Sequence, residues 1–317
     1  MRIGLMVEGQ NGLTWERWAH ILDLAERLEF PTLFRSDHFF IGEQRDSLEA
    51  YLSFVMAATR TSSIRFGPLV TPVTFRTPVD VGRMAAQLSG LSEGRFVMGL
   101  GAGWNEPEHR AYGISFPSTK ERFDRLEDAL KMMRVLWKEG EANYGGSFYS
   151  LDGANCLPRP SAFGMPLLIG GAGEKRTLLL VARYADEWNS VNLTPEVFGE
   201  KVSALERHCE NEGRDPSQIE KSMMTFGIVG PNGAALDRAT RHVMGMFGAR
   251  RDQTSDEFRK MTQGMGMITG TTEEIVDTLG RLADLGLSEV QFQHFDFETD
   301  DVPEYLAAEV APRVVDL

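Results

Sequence analysis

A glycine-rich turn between a strand and a helix is the feature of this sequence best suited to hold an anion. The apolar run 167–169 predicts a short strand, and residues 174–184 predict a helix directly after the turn. The turn itself consists of Gly170, Gly171, Ala172 and Gly173. Backbone N–H groups of such a turn point outward at a helix N-terminus, where a phosphate binds well. Glu174 is followed by Lys175 and Arg176, which add positive charge, so the turn predicts a phosphorylated ligand.

An Asp-His pair is the best candidate for catalysis. Asp37 and His38 directly follow the second predicted strand, and a histidine can move protons near neutral pH. Asp37 would orient the imidazole or contact a bound ring. A loop that hydrogen-bonds its own backbone would look the same, and this alternative stays open.

Three further residues are weaker candidates. His294 ends the last predicted strand, and His109 would line the opening of a site, although a solvated helix start suits it better. Glu8 follows the first strand and is an alternative acid, although a surface turn residue has the same pattern.

The elements that position these residues alternate between strands and amphipathic helices. Eight strands are predicted at Arg2–Val7, 32–36, 64–73, 95–100, 167–169, 185–190, 222–229 and 288–294. Eight strand–helix units predict a (β/α)8 barrel, in which ligand sites collect at the C-terminal strand ends. A doubly wound sheet is the rival, but Gly-x-Gly-x-x-Gly is missing after the first strand. We expect one domain over residues 1–317.

Helix signals and two insertions complete the pattern. The clearest helix is predicted over 120–138, and Thr14 is a candidate N-cap. Thr271 and Glu274 form a candidate capping box. One insertion covers about 139–165 and contains a hairpin-like stretch. The other covers about 230–270, is polar and rich in Met and Gly, and would suit a mobile lid.

Composition limits the partners. The 317 residues carry 33 Lys and Arg against 46 Asp and Glu, a formal charge of −13, which argues against nucleic acid. Cys156 and Cys209 match no metal spacing and favour a reduced, intracellular protein. We see neither a signal peptide nor an apolar run long enough to span a membrane, so a cytoplasmic location is expected. The sequence has no paired-histidine spacing of the kind that would predict a metal site.

Four segments in this order resemble the bacterial luciferase-like flavin enzymes. They are FRSDHF at 34–39, GLGAGWNEPEH at 99–109, GGAGEKRT at 170–177 and YADEWN at 184–189. The resemblance spans nearly the whole chain and is greatest to the branch that uses the deazaflavin coenzyme F420. It implies a TIM barrel with a flavin or deazaflavin ring over the strand ends. It also implies a homodimer through barrel helices.

The resemblance also implies contacts with the cofactor. The third-strand end, here Val70 and Thr71, would pack against the ring, often with a bulge and a non-proline cis peptide; an ordinary strand end is the alternative. The turn 99–106 with Gly101 would approach the cofactor, and Asn105 would bond its polar chain or cap the next helix. Ala102 stands where some dehydrogenases of this branch carry an acid, which argues against a sugar-phosphate dehydrogenase.

The resemblance leaves three functions open. The leading one is F420-dependent hydride transfer to or from a small organic substrate, because residues 174–176 suit a highly charged cofactor tail, although a solvated helix start would look similar. The second is an FMN-dependent monooxygenase that uses reduced flavin and oxygen. The third is a flavin-binding protein without catalysis. In the first two, the cofactor supplies the redox chemistry, and the protein supplies position and electrostatics.

Overall fold

The computed structural model of the protein describes residues 1–42, 47–161, 164–246, 248–250 and 252–317. The strands in chain order are β1 (Arg2–Val7), β2 (Thr32–Arg35), β3 (Arg65–Pro68), β4 (Thr71–Pro72), β5 (Met98–Gly101), β6 (Ala142–Gly145), β7 (Ser150–Ala154), β8 (Leu167–Gly170), β9 (Glu187–Val191), β10 (Glu220–Thr225), β11 (Gly227–Gly230), β12 (Ile268–Thr271) and β13 (Glu289–His294).

Helices follow most of the strands. They are α1 (Trp15–Arg27), α2 (Ala50–Arg60), α3 (Pro78–Leu91), α4 (Glu106–Ala111), α5 (Thr119–Leu136), α6 (Thr177–Tyr184), α7 (Pro195–Glu212), α8 (Gly233–Met246), α9 (Ser255–Gly264), α10 (Thr272–Asp284), α11 (Asp301–Tyr305) and α12 (Ala311–Val314). A 3₁₀ turn covers Pro216–Gln218, and a π-helical stretch covers Leu306–Val310.

Nine parallel strand segments build the barrel, in the order β3-β2-β1-β13-β10-β9-β8-β5-β4. The two end segments, β3 and β4, are halves of the predicted third strand, separated at a cis peptide between Leu69 and Val70. The half β4 pairs with β5, and Phe66 of β3 bridges to Phe96, so the sheet closes on itself. Nine segments therefore fill eight positions, and the predicted (β/α)8 barrel is confirmed.

The barrel interior is closed by alternate residues of neighbouring strands. Met6, Phe34, Leu69, Val97 and Leu168 form one buried cluster, while the intervening residues pack outward under the helices, as alternation along a strand requires. This apolar plug lies below the strand ends, so polar side chains at those ends face a cavity rather than a channel through the barrel.

Local signals at helix starts are confirmed. The Thr14 hydroxyl accepts a hydrogen bond from the Arg17 N–H at 3.2 Å and caps α1. Thr271 and Glu274 form the predicted capping box of α10. The helix predicted over 120–138 is α5, displaced by one or two residues at its ends.

The two insertions have their own secondary structure. Within 139–165, β6 and β7 pair as an antiparallel hairpin, as predicted. The predicted strand 222–229 is wrong as a single element, because the chain leaves the barrel after β10 and β11 pairs with β12 outside it. A Cβ on Gly227 would lie 2.6 Å from Cδ1 of Phe292, so glycine permits this departure close to the barrel wall.

The insertion at 230–270 contains helices α8 and α9, which pack together and with β11 and β12. Its role as a lid stays a prediction. Cys156 and Cys209 are both buried and free. In the described part of the chain, every helix is too short or too polar to cross a membrane.

Candidate active site at the strand ends

A cavity of about 540 Å³ opens at the C-terminal ends of the barrel strands. Its lining comes from the ends of β1, β2, β4, β5, β8, β9, β10 and β13 or the loops that follow them, and from the start of α5. A concave site of this volume is typical of small-molecule and cofactor binding. The cavity therefore lies where the barrel prediction placed the site.

One wall is shaped by a valine against two glycines. A Cβ on Gly101 would lie 2.7 Å from Cγ2 of Val70, and a Cβ on Gly170 would lie 3.0 Å from Cγ1 of the same valine. Any side chain at these glycines would displace Val70. Three of the predicted cofactor-binding residues thus form one compact apolar wall suited to a flat ring.

The cis peptide lies directly before Val70, one bond earlier than the place named from the resemblance. Thr71, also predicted to contact the cofactor, is fully buried and lies outside the lining. Its hydroxyl donates to Oδ2 of Asp37 at 2.7 Å. The structure thus gives Thr71 a contact that holds an acid, away from the cavity.

The glycine turn is longer than predicted. Helix α6 begins at Thr177, so the prediction of helix from residue 174 is wrong. Gly171 has a φ of 118°, which L-residues rarely adopt, and its N–H donates to the Asn189 carbonyl at 2.9 Å. Among the described residues, no acceptor bonds the N–H groups of Ala172 and Gly173. The turn retains free donors beside the cavity.

The charged residues of this turn do not reach the cavity. Glu174 pairs with Lys201 at 2.7 Å, and Arg176 donates to the Lys120 carbonyl at 3.1 Å. Lys175 is exposed. Contact of these three residues with a phosphorylated cofactor stays a prediction.

A positive charge in the cavity wall comes instead from Arg122, which sequence analysis missed. Arg122 is only 9% exposed, donates to the Pro117 carbonyl at 2.6 Å and lies over the Phe116 ring. Within the described ranges, no carboxylate pairs with it and its Nε has no acceptor. Thr119 and Thr177 line the cavity with it. A buried, unneutralised guanidinium beside two hydroxyls and a glycine turn suits a phosphate.

His38 lines the cavity and is held by an acid that follows it by 70 residues. Its Nδ1 lies 2.9 Å from Oε2 of Glu108, whose other oxygen accepts the N–H groups of Phe39 and Phe40 at 2.6 and 3.1 Å. Trp104 packs edge-on against the ring at 5.5 Å. Burial opposes the charged form of His38, but the hydrogen bond and charge of Glu108 prevail and raise its pKa.

Glu108 shows the reverse shift. Burial favours its neutral form, but His38 and the two backbone N–H groups outweigh it and lower the pKa of Glu108. Both shifts favour an ionised carboxylate facing a protonated imidazole. The remaining nitrogen of His38, Nε2, is available to a bound molecule. Sequence reasoning missed Glu108 because a glutamate in the first turn of a helix is usually solvated.

Asp37 occupies a different environment from His38. Both of its oxygens accept hydrogen bonds from Arg76, at 2.6 and 3.0 Å, and the acid is 4% exposed. Arg76 also pairs with Glu49 and lies over the Tyr51 ring. Asp37 is absent from the cavity lining. The catalytic role predicted for Asp37 stays a prediction, while its contacts fix the loop that carries His38.

Glu8 is buried, so its interpretation as a surface turn residue is wrong. It is 7% exposed, and its two oxygens accept hydrogen bonds from Gln10, at 2.7 Å, and from Gln293. Ser36 in turn donates to Gln10 at 2.6 Å. This network aims a carboxylate at the cavity from the end of β1.

Asn105 and His109 serve packing. Asn105 donates to the Phe40 carbonyl at 3.1 Å, lies outside the lining and makes no side-chain cap of α4. Asn105 is the N-cap residue of α4 by position, although its side chain does not cap the helix. Its contact with the cofactor stays a prediction. His109 is fully buried and bonds Thr74 and the Asn105 carbonyl, so the solvated helix start predicted for it is wrong.

His294 lies apart from this cavity and lines another one between β13 and α8. It is 5% exposed, and burial lowers its pKa to about 4. A neutral imidazole is therefore expected at ordinary pH. Among the described residues, no group of three or more His, Cys, Asp or Glu side chains is arranged to hold a metal ion.

Fold and site together define a barrel oxidoreductase of the flavin or deazaflavin class. The sequence model of the luciferase-like monooxygenases matches residues 1–289, and the chain belongs to that family. An F420-dependent hydroxymycolic acid dehydrogenase of Mycobacterium tuberculosis is 28% identical over 241 residues, covering 75% of this chain and 65% of the dehydrogenase. A pyrimidine monooxygenase of Escherichia coli is 31% identical over 177 residues, covering 53% of this chain and 47% of the monooxygenase.

The chain thus spans less than two thirds of the length of both relatives. The fold is also that of an F420-dependent secondary alcohol dehydrogenase solved with an F420–acetone adduct. The two structures agree with a TM-score of 0.80 at 23% identity, over 99% of this chain and 98% of the other. The family contains both F420-dependent dehydrogenases and monooxygenases, so membership alone leaves the cofactor open.

Proposed function

We propose that this protein is a coenzyme F420-dependent oxidoreductase that transfers a hydride to or from a small organic substrate. The observation that carries the proposal is the strand-end cavity, with an apolar wall at one side and the unneutralised Arg122 at another. A ring system linked to a phosphate needs both surfaces. The F420-dependent relative favours the deazaflavin.

The residues present fit such a cofactor. Gly101 and Gly170 leave room for the Val70 side chain, which with them forms the apolar wall that a flat ring would contact. Arg122 and Thr177, with the turn after Gly171, would hold the phosphate. When bound, the deazaflavin supplies the carbon centre that gives or takes the hydride.

Two side chains would manage the proton that accompanies hydride transfer. Glu108 occupies Nδ1 of His38, which leaves Nε2 to donate to or accept from a substrate oxygen. Glu8 presents a second buried carboxylate at the same cavity. Their opposite charges would stabilise different polar groups of the substrate. Asp37, the other residue predicted to be catalytic, lies outside the lining and would act on His38 through the position of the loop.

An FMN-dependent monooxygenase is the second candidate. The pyrimidine monooxygenase relative favours it, and the groups around Val70 and Arg122 would hold FMN as well as F420, because both cofactors combine a tricyclic ring with a phosphate. A flavin-binding protein without catalysis would need neither the His38–Glu108 pair nor a buried Glu8, so those residues weigh against it.

A parallel titration with F420 and FMN tests the proposal. F420 should bind with a Kd in the micromolar range or below, and the reduced or oxidised cofactor should turn over with a suitable alcohol or carbonyl compound. Preference for FMN together with oxygen consumption would favour the monooxygenase. Tight binding without turnover on any oxidant would favour the non-catalytic protein, and failure of both cofactors to bind would overturn the proposal.

A further inference from the structure

A second cavity of about 710 Å³ adjoins the first. Glu8, Ile41 and Gln293 line both cavities, so the carboxylate of Glu8 lies at their junction. A molecule in the second cavity would therefore meet the cofactor cavity at a polar point. Nothing else in the site as described explains this larger space.

Helix α9 forms one wall of the second cavity. Phe258, Met261, Thr262 and Met265 follow the spacing of a single helix face, and all four line the cavity. The lining also includes Phe226 and Phe295, whose rings stack at 4.8 Å. The wall is thus mainly apolar, with aromatic rings and flexible thioethers. Arg250 also lines it, and its charge is paired with Asp252 at 3.4 Å.

Two methionine side chains on this face of α9 are more exposed than is usual for apolar residues. Met261 is 43% exposed and Met265 is 57% exposed, and both side chains border the second cavity. A ligand that covers exposed apolar surface removes that surface from water, and this burial stabilises the complex. Methionine also adapts to ligands of different shape.

The polar end of the space is fixed by hydrogen bonds. Gln10 and Gln293 both donate to Glu8, so its oxygens are held in place at the junction. A hydroxyl is a good partner for such a carboxylate, because it donates without carrying a charge that must be desolvated.

We propose that the second cavity binds the substrate, and that the substrate is an uncharged organic molecule with an extended apolar body and a hydroxyl-bearing head. The apolar body lies against the Met261–Met265 face of α9, and the head lies at Glu8. This inference deepens the proposed function and rests on it for the redox step, but binding itself needs only the second cavity.

Calorimetric titration with butan-2-ol, hexan-2-ol and octan-2-ol tests the inference, with the protein alone and with F420 or FMN. Each added methylene should tighten binding about fourfold, the effect of burying that group in an apolar site. The heat capacity change of binding should become more negative along the series. Affinities that do not change with chain length would overturn the inference.

Met261→Asp places a short charged group on the cavity face of α9 and should remove most of this dependence on chain length. Lys260→Asp is the matched control, because Lys260 is exposed on the same helix and lies outside the lining. It should retain the dependence, as should the conservative Met261→Leu. Thermal unfolding checks that each variant is folded.

The outcomes separate the two proposals. If neither cofactor binds but the alcohols show the dependence on chain length and lose it in Met261→Asp, the proposed function fails and the apolar site stands. If a cofactor binds and Met261→Asp behaves as Lys260→Asp does, the substrate assignment fails and the cofactor site stands.

Discussion

Glu108 fixes His38 by accepting at its Nδ1, 2.9 Å away, while the backbone after His38 donates to the same carboxylate. One acid on α4 thereby sets both the orientation of the ring and the path of the loop after β2. The hydrogen bond between His38 and Glu108 connects the loop after β2 to the helix after β5. It makes the protonation of His38 depend on a residue that never faces the substrate.

Glu108→Gln should lower the pKa of His38, because burial is then opposed only by the charges of Glu8 and Asp37. The NMR titration of the His38 ring should shift to lower pH. If cationic His38 is the proton donor, the high-pH limb of kcat/KM should shift in the same direction. An unchanged titration would show that Glu108 does not control His38.

The stability lost in this variant should also depend on pH. The raised pKa of His38 stabilises the fold fully below 6.5 and less as pH rises through the folded value. The lowered pKa of Glu108 stabilises it above 4.5 and less as pH falls through the folded value. The largest loss is therefore expected between these two pH values. Glu106→Gln, an exposed change on the same helix, should show neither effect.

The Asp37–Arg76 pair separates positioning from catalysis. Asp37→Asn leaves Arg76 without its buried partner and should destabilise the protein by about 3–5 kcal/mol, as loss of one member of a buried pair does. Denaturant unfolding gives the free energy. The double variant Asp37→Asn/Arg76→Gln should recover part of the stability. Recovery of turnover with it would assign Asp37 to positioning, whereas turnover that stays lost would support the predicted catalytic role.

Gly171 tests the turn after β8. Its φ of 118° disfavours any side chain, although a Cβ would meet nothing closer than 3.4 Å. Gly171→Ala should therefore change the backbone path, with a strain of about 1–3 kcal/mol, and weaken cofactor binding. Gly113→Ala is the matched control, since Gly113 has a φ of 67° with nothing within 4 Å and lies outside the cavity. Equal cofactor affinity in both variants would remove Gly171 from the site.

Much of the fold could be predicted because its signals are local. The apolar runs that form β1 and β8 are short and end at Glu8 and at the glycine turn. Thr14 caps α1 by accepting from the N–H of Arg17, three residues later. The break at Leu69–Val70 and the exit of the chain after β10 could not be predicted, because the residues on both sides of each interruption have the pattern of one continuous strand. Only packing against neighbouring strands decides where such runs divide.

The location of the site could be predicted from the sequence, but its buried charged residues could not. Gly170 was predicted from the glycine turn that follows an apolar run, whereas Val70 and Gly101 were predicted only from the family resemblance. All three line the cavity. Glu108 was missed because its partner His38 is remote in sequence, and Arg122 because no carboxylate among the described residues pairs with it. A charged residue on an amphipathic helix also normally faces solvent. The tertiary fold alone buries them.

Arg122 gives the sharpest test of the phosphate position. Arg122→Gln retains a side-chain amide that can still donate to the Pro117 carbonyl. The substitution removes a positive charge that, among the described residues, has no carboxylate partner in this wall. Affinity for FMN or F420 should fall by about tenfold or more, corresponding to the roughly 1.5–3 kcal/mol of a hydrogen bond to a charged group. Riboflavin, which lacks the phosphate, should bind the variant and the parent protein equally. An equal loss for riboflavin and FMN would mean that Arg122 supports the cavity wall and does not contact the phosphate.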